Sequence, residues 1–570
     1  MAWQRTLDGQ LQLSLGSNPD VTADLLPHIA AARRDGRDIV LIGQTHGQMP
    51  FMGGHAQVDP AQFDFLIDEA RHDYDLFCPP NPPIGTAEHA IGLYVSSLVR
   101  DGGTLQVGIG ELGEALMYAL LLRHQQNDAW RGALEALGRQ SAASVIRDCG
   151  GEQPFAAGLY AASEMFVAQL LELYRGGILR RRVYDCLALE RLVSDGHNGR
   201  RLDEQALALL AAAGAGPRLD AAQFATLQHY GVFRQDVEFA DGSVRAPGSS
   251  WIPADLADPA SRALLARECL GSELRNGHVL HAGFFLGPRG FYAALRELPE
   301  SERAQLGMRG VEFVNQLYGA DQELRILQRR AARCVNTCMM VTLLGAAVSD
   351  ALESGRVVSG VGGQYNFVAM AHALPGGRSI LCLHATRTRR GRTTSNILWS
   401  YGHETIPRHL RDIVVTEYGV ADLRGRTDEE VIAALLNIAD SRFQDALLAS
   451  AREAGKIRAD YRIPDAFRNN LPGRLSGALA AHRARGYFSE YPFGTDLTAE
   501  ETTLVRALQS LEARSASRWA RITMLLAAVT RGRPRAVHAA ALQRMALQHP
   551  RGLAERLQQR LVVLGLDAAL

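Results

Sequence analysis

Ser359-Gly-Val-Gly-Gly-Gln-Tyr-Asn-Phe367 carries three glycines within four residues, after the valine pair of Arg356-Val-Val358 and before the apolar run Phe367-Val-Ala-Met-Ala371. The pattern predicts a strand, a glycine turn and a helix. Glycine at such a turn lets backbone N–H groups approach a ligand with no Cβ in the way. Amides at a helix start also carry partial positive charge. The turn is therefore a candidate cradle for a phosphate or a developing oxyanion. A second stretch, Thr104-Leu-Gln-Val-Gly-Ile-Gly-Glu-Leu-Gly113, repeats the device in the first half of the chain. Two halves built on one device predict a pseudo-duplicated α/β protein with its site between them.

The 570 residues leave room for several cores, and 47% hydrophobic with 21% charged residues is an ordinary globular balance. Formal net charge is zero, which excludes the strongly basic footprint of a nucleic-acid binder. Lys456 is the only lysine, so any lysine mechanism rests on it alone. No apolar run reaches the roughly 18–20 residues that span a bilayer, and Met1 to Asp8 lack a signal-peptide core. A membrane partner is not expected. Seven scattered cysteines fit a reducing cytoplasm. Only Cys334 and Cys338 lie close together, too few ligands for a metal site.

Short β-like runs at Asp38-Ile-Val-Leu-Ile-Gly43, Thr104–Gly108, Ser379-Ile-Leu-Cys-Leu383 and Asp412-Ile-Val-Val-Thr416 read as strands, the first two as buried ones. Helices are expected from Glu114 to about Arg139 and from Ser163 to about Tyr174. Ala211 to Pro217 reads as a boundary. The expected division is an N-terminal α/β domain over 1–217, an insertion or linker over 218–325, a second α/β domain over 326–497 and a helical tail over 498–570. That tail has one strand candidate, Leu561-Val-Val-Leu564.

Several common motifs fail. Gly108-Ile-Gly-Glu-Leu-Gly113 satisfies the dinucleotide spacing, but the region that should supply its acidic residue, Ala129 to Leu137, is helical. Gly455-Lys456-Ile457 lacks the hydroxyl of a phosphate-binding loop. His403-Glu404 with His409 is not a zinc-protease spacing, and Pro407 breaks the helix it needs. There is no G-x-S-x-G elbow.

Four motifs in order carry a resemblance: Leu105-Gln-Val-Gly-Ile-Gly110, Leu159-Tyr-Ala-Ala-Ser-Glu-Met-Phe166, Gly360-Val-Gly-Gly-Gln-Tyr-Asn-Phe367 and Val415-Thr-Glu-Tyr-Gly-Val-Ala-Asp-Leu-Arg-Gly425. With Gln48-Met-Pro50 and Gly177-Ile-Leu179, the chain resembles the acetyl-CoA hydrolase/transferase family over roughly residues 10–215 and 325–455. The resemblance implies two similar CoA-transferase-like (NagB/RpiA-like) α/β domains facing a cleft, with the helical tail as an extension. It also implies a homodimer or higher homo-oligomer.

In that family a glutamate attacks the acyl-CoA thioester, giving an acyl-glutamyl anhydride and then a glutamyl-CoA thioester. A carboxylic acid or water completes turnover. By motif position the glutamate is Glu164. Glutamate suits the role because its reference pKa, near 4.3, leaves it ionised at neutral pH without an activating base. Asn336 and Glu417 match polar positions near the nucleophile. Gly108, Ile109, Gly110, Glu111 and Leu112 match a CoA-contacting turn, and Gly360, Gly362, Gly363, Gln364 and Asn366 match the second. Arg390, in the Arg387–Arg392 run, is the expected phosphate contact. Coenzyme A enters as substrate, with no tightly bound cofactor and no metal.

The chain departs from the family at Asn366, where aspartate is common, and at Val167-Ala-Gln169, where an acidic-glycine pair is common. The family's usual first segment is expected to be missing or replaced. Two other readings of the same fold stand beside the enzyme: a CoA-binding or assembly protein, and a sugar-phosphate isomerase-like enzyme.

Overall fold

The computed structural model describes residues 1–5, 9–138, 142–194, 196, 201–319, 321–389, 391–515 and 518–569. Its centre is one eight-stranded sheet. In chain order the strands are β1 (Thr104–Val107), β2 (Tyr160–Phe166), β3 (Leu280–Phe285), β4 (Leu306–Met308), β5 (Arg333–Thr337), β6 (Arg378–Cys382), β7 (Ile413–Thr416) and β8 (Gly419–Asp422). They lie in the order β4-β3-β2-β1-β5-β6-β7-β8. All pair in parallel except β8, which turns back on β7.

Parallel strands in a sheet covered on both faces read as apolar runs, as Ile413-Val-Val415 of β7 and Ile380-Leu-Cys382 of β6 do. Side chains still alternate between the faces. Val335, Ile380, Ile413 and Val415 enter the core that holds Tyr94 of helix α1 (Thr86–Ser97) and Leu116 and Leu120 of α2 (Glu111–Gln125). Cys334 packs on the opposite face against Phe367 and Met370 of α3 (Gln364–Ala373). Leu381 and Val414 lie on that face with Val368 and Ile432.

The α/β class and the helical tail agree with the sequence. The halves expected as two domains instead share the sheet, joined where Leu105 pairs with Arg333 and Val107 with Val335. The segment 218–325, expected as insertion or linker, divides. Its first part packs with residues from Tyr184 onward into a separate core that ends at Leu274. Its second part, the apolar run at Leu280, supplies β3 and β4. The expected boundary at 211–217 falls inside that separate core, which holds both Leu210 and Leu219.

Three local expectations change. Residues 163–166 extend strand β2, and a helix begins only at Ala168. The valine pair before the glycine turn forms no sheet strand. Val357 and Val358 are exposed; Val357 makes an isolated antiparallel bridge to Ala351, and the N–H groups of Val358 and Ser359 donate to Asp350 O at 2.7 and 3.1 Å. The Asp38–Gly43 run yields a strand only at Ile42–Gln44, paired in parallel with Phe65–Ile67, and both pieces are largely solvent-facing.

The tail is built on α4 (Ala499–Arg514), α5 (Arg518–Arg531) and α6 (Leu553–Ala569). The strand candidate at Leu561 lies inside α6, where Val562, Val563 and Leu566 pack against Leu504 and Ala507 of α4. β-branched residues are poor helix formers. Burial of that apolar face overrides the local preference.

The near-exclusive use of arginine has a structural counterpart. Buried Arg333 donates to Leu98 O at 2.8 Å, Ala332 O at 2.9 Å and Gly376 O at 2.9 Å. With Ala331 O and Cys149 O, one guanidinium ties five carbonyls together, which the compact ammonium of lysine does less well.

Candidate active site

Strand order reverses between β1 and β5. In open parallel α/β sheets the crevice beyond the carboxyl ends of the strands at such a reversal is the ligand site. Here β1 ends at Val107 and opens into the Gly108–Gly110 turn, and β5 ends at Thr337. The turn is tied across the reversal by Gly108 N–H donating to Val335 O at 2.8 Å. Gly110 then caps α2 with φ +98°, a conformation that excludes most side chains.

A cavity of about 390 Å³ opens at this point, lined by Gly108, Glu164, Asn336, Gly360, Gly363 and Gln364 among others. Glu164 sits near the carboxyl end of β2, half-buried. Gly363 N–H, at the N-terminus of α3, donates to Glu164 Oε2 at 2.9 Å. A charge-assisted bond at a helix start favours the carboxylate twice, by hydrogen bonding and by the helix dipole. Gly362 adopts φ +55° to make the approach. A Cβ on Gly363 would strike Glu164 Oε2 and stand 2.8 Å from Phe367 and 2.9 Å from Asn315. The glycine is required by the closeness of the contact.

Asn336 is buried on β5, its amide paired with Gln106 at 3.1 Å. Gln364 Nε2 donates to Thr337 O at 2.9 Å, which fixes the start of α3 to the end of β5. Ile109, Glu111 and Leu112 line a neighbouring cavity of about 770 Å³ that shares Ile109 and Thr337 with the first. Arg387 and Arg389 line it too. Arg390 lies outside the described residues. Asn366 is half-buried on α3 and is not on the wall of either cavity.

Glu417, after β7, lies off the wall of both cavities. It is buried, its Oε2 accepting from Ala385 N–H at 2.8 Å, and burial pushes its pKa up. Beside it, His384 Nε2 lies 2.8 Å from Glu88 Oε1. That bond raises the His384 pKa, helped by the charges of Glu88, Glu417 and Glu111 and opposed by burial.

Sequence reading missed Gln106, Phe284 and Thr337 on the smaller cavity and the Glu88–His384 pair on the larger one. Phe284 was hidden by the assignment of its segment as an insertion. The apolar strand Leu280–Phe285 is the signal that finds it.

Asp185, His278 and His281 offer ligand atoms within 4.8 Å of one another. Arg309 already ion-pairs with Asp185 and lies 3.4 Å from His281 Nε2, so a guanidinium holds the cation position.

Fold and site together define a doubly wound parallel α/β protein with a carboxylate held by a glycine turn at the switch point. Residues 287–451 match the acetyl-CoA hydrolase/transferase C-terminal domain family. Asn336, Gly360–Gln364 and Glu417 fall inside that stretch; Glu164 and Gly108–Leu112 fall outside it.

A probable butyrate:acetyl-CoA coenzyme A-transferase of Syntrophomonas wolfei is 35% identical over 132 residues, which is 23% of this chain and 29% of that protein. A 4-hydroxybutyrate coenzyme A transferase of Clostridium kluyveri is 31% identical over 177 residues, 30% of this chain and 38% of the relative. The chain thus spans about a third of the length of the curated relatives it matches. Among solved structures, RipA from Yersinia pestis aligns with TM-score 0.48 at 19% identity over 80% of this chain and 70% of that one.

Proposed function

We propose that the chain transfers coenzyme A from acyl-CoA thioesters to a carboxylic acid, or hydrolyses them with water, with Glu164 as covalent nucleophile. The observation that supports this most is the 2.9 Å bond from Gly363 N–H to Glu164 Oε2. Glu164 attacks the thioester carbonyl, the C–S bond breaks, and CoA thiolate leaves an acyl-glutamyl anhydride. The thiolate then attacks the glutamyl carbonyl, releasing the acyl carboxylate and leaving a glutamyl-CoA thioester. An acceptor carboxylate reverses both steps to form a new acyl-CoA; water instead releases CoA and free Glu164.

The direction of the Gly363 N–H determines which steps it assists. It points at an oxygen of the glutamate itself, so it stabilises the oxyanion formed when the Glu164 carbonyl is attacked. Such a donor is typically worth about 2.7–4 kcal/mol. The larger cavity, with Arg387 and Arg389 on one wall, is the place we assign to the CoA moiety.

Incubation with acetyl-CoA, quenching and peptide mass analysis tests the reading. A CoA-sized adduct is expected on the peptide bearing Glu164; an adduct elsewhere, or none with turnover intact, refutes it. Added carboxylic acids that accelerate thioester loss and appear as CoA esters identify a transferase; their lack of effect identifies a hydrolase. Gly363→Ala drives a methyl into the carboxylate and is expected to lower turnover by about 10²–10³-fold. Gly477→Ala, whose added Cβ meets nothing within 4 Å and which lies on neither cavity, is the control and stays near wild type.

A further inference from the structure

Helix α5 turns its large side chains outward. Trp519 is 78% exposed, Leu526 62% and Val529 50%, with Ile522 and Leu525 also exposed. Its inward side is small: Ala528 is buried, and Ala527 is half-buried. At 3.6 residues per turn the five outward residues fall within about a third of the helix circumference, one continuous apolar stripe. A contiguous apolar patch on a surface marks an interaction site.

The charge around the stripe selects the partner. Residues 498–570 hold eleven arginines against five acidic residues, in a chain whose net charge is zero. Helix α5 itself has no acidic residue. Arg521 flanks the stripe, Arg531 and Arg533 follow it, and all three are exposed and make no ion pair among the described residues. Two copies of such a face packed together would oppose arginine to arginine with no carboxylate to neutralise them.

We propose that α5 is a peripheral lipid-binding helix, laying the Trp519–Val529 face into an anionic bilayer surface while its arginines meet the lipid phosphates. Tryptophan and leucine enter to the depth of the headgroups, and arginine keeps its guanidinium in the polar layer. This mode needs no spanning segment, and no helix among the described residues is long and apolar enough to cross a membrane. It differs from the expectation drawn from hydropathy alone, which tests for spans and is blind to surface helices.

The test is co-sedimentation of the full chain with phosphatidylglycerol–phosphatidylcholine vesicles and with phosphatidylcholine alone. The chain is expected to pellet with the anionic vesicles only, and less so as salt rises. Trp519→Ser with Leu526→Ser, and separately Arg521→Glu with Arg533→Glu, each weaken binding by about tenfold or more. Unchanged melting of both pairs is expected, because the altered side chains are exposed. Equal binding to neutral vesicles, no binding at low salt, or full binding by either pair overturns the proposal. So does a solution dimer that Leu526→Glu dissociates, which assigns the face to a second copy.

Discussion

Glu164→Ala is expected to lower release of free CoA from acetyl-CoA by roughly 10⁴–10⁶-fold, the scale on which deletion of a covalent nucleophile acts. No other carboxylate lines the Glu164 cavity among the described residues. Glu417 sits off that cavity, and its carboxylate is committed to Ala385 N–H. The fold is expected to persist, because β2 is held by backbone pairing to β1 and β3 and the Glu164 side chain touches the turn from a half-buried position. The loss to stability is one charge-assisted hydrogen bond, about 1.5–3 kcal/mol. Glu164→Gln keeps the shape and the Gly363 contact but offers no nucleophilic oxygen, so it is expected to be as inactive as the alanine variant. Turnover within tenfold of wild type in either variant would remove Glu164 from the mechanism.

The second large effect concerns stability. Glu114, in the first turn of α2, is pushed up to about 8 by burial and by neighbouring Glu111, against a hydrogen bond from Gln169. In the unfolded chain it releases its proton near the ordinary glutamate value of 4.5. Between those two values folded Glu114 keeps its proton and unfolded Glu114 has lost it, so its contribution to stability falls as pH rises from about 4.5 to about 8. Glu114→Gln has no proton to lose. It is expected to match wild type near pH 4.5 and to exceed it at pH 9 by on the order of 4 kcal/mol. Urea unfolding at the two pH values checks this; a variant that follows the wild-type pH profile would refute it.

The sequence was most legible where a feature is local. Glycines at 108–110 and 360–363 announced turns, and both turns line cavities at the switch point. The runs at Thr104, Ser379 and Asp412 announced parallel strands because both faces of the sheet are covered. Leu280–Phe285 was equally apolar, yet the loop-rich chain before it led to its assignment as an insertion. Ser163–Phe166 read as helix because the helix that follows begins only two residues later. The valines before the second glycine turn have strand propensity, but Val357 bridges only Ala351 and the pair stays outside the main sheet. Non-local matters were not legible: the pairing of β1 with β5, the seat of Phe284, and the meeting of Glu88 with His384 across nearly three hundred residues.

The cavity draws Glu164 and Gly108 from the first part of the chain, Phe284 from the middle, and Asn336 and Gly363 from the last. Gly108, Glu164, Phe284 and Asn336 reach it on or at the end of neighbouring strands of a single sheet, and Gly363 on the turn that starts α3. Neither half of the gene product, expressed alone, would possess a working centre. Mixing separately made halves would restore one only if β1 and β5 found each other again. Under the proposed reaction, activity becomes a readout of whole-molecule integrity: it is expected to vanish when those two strands part.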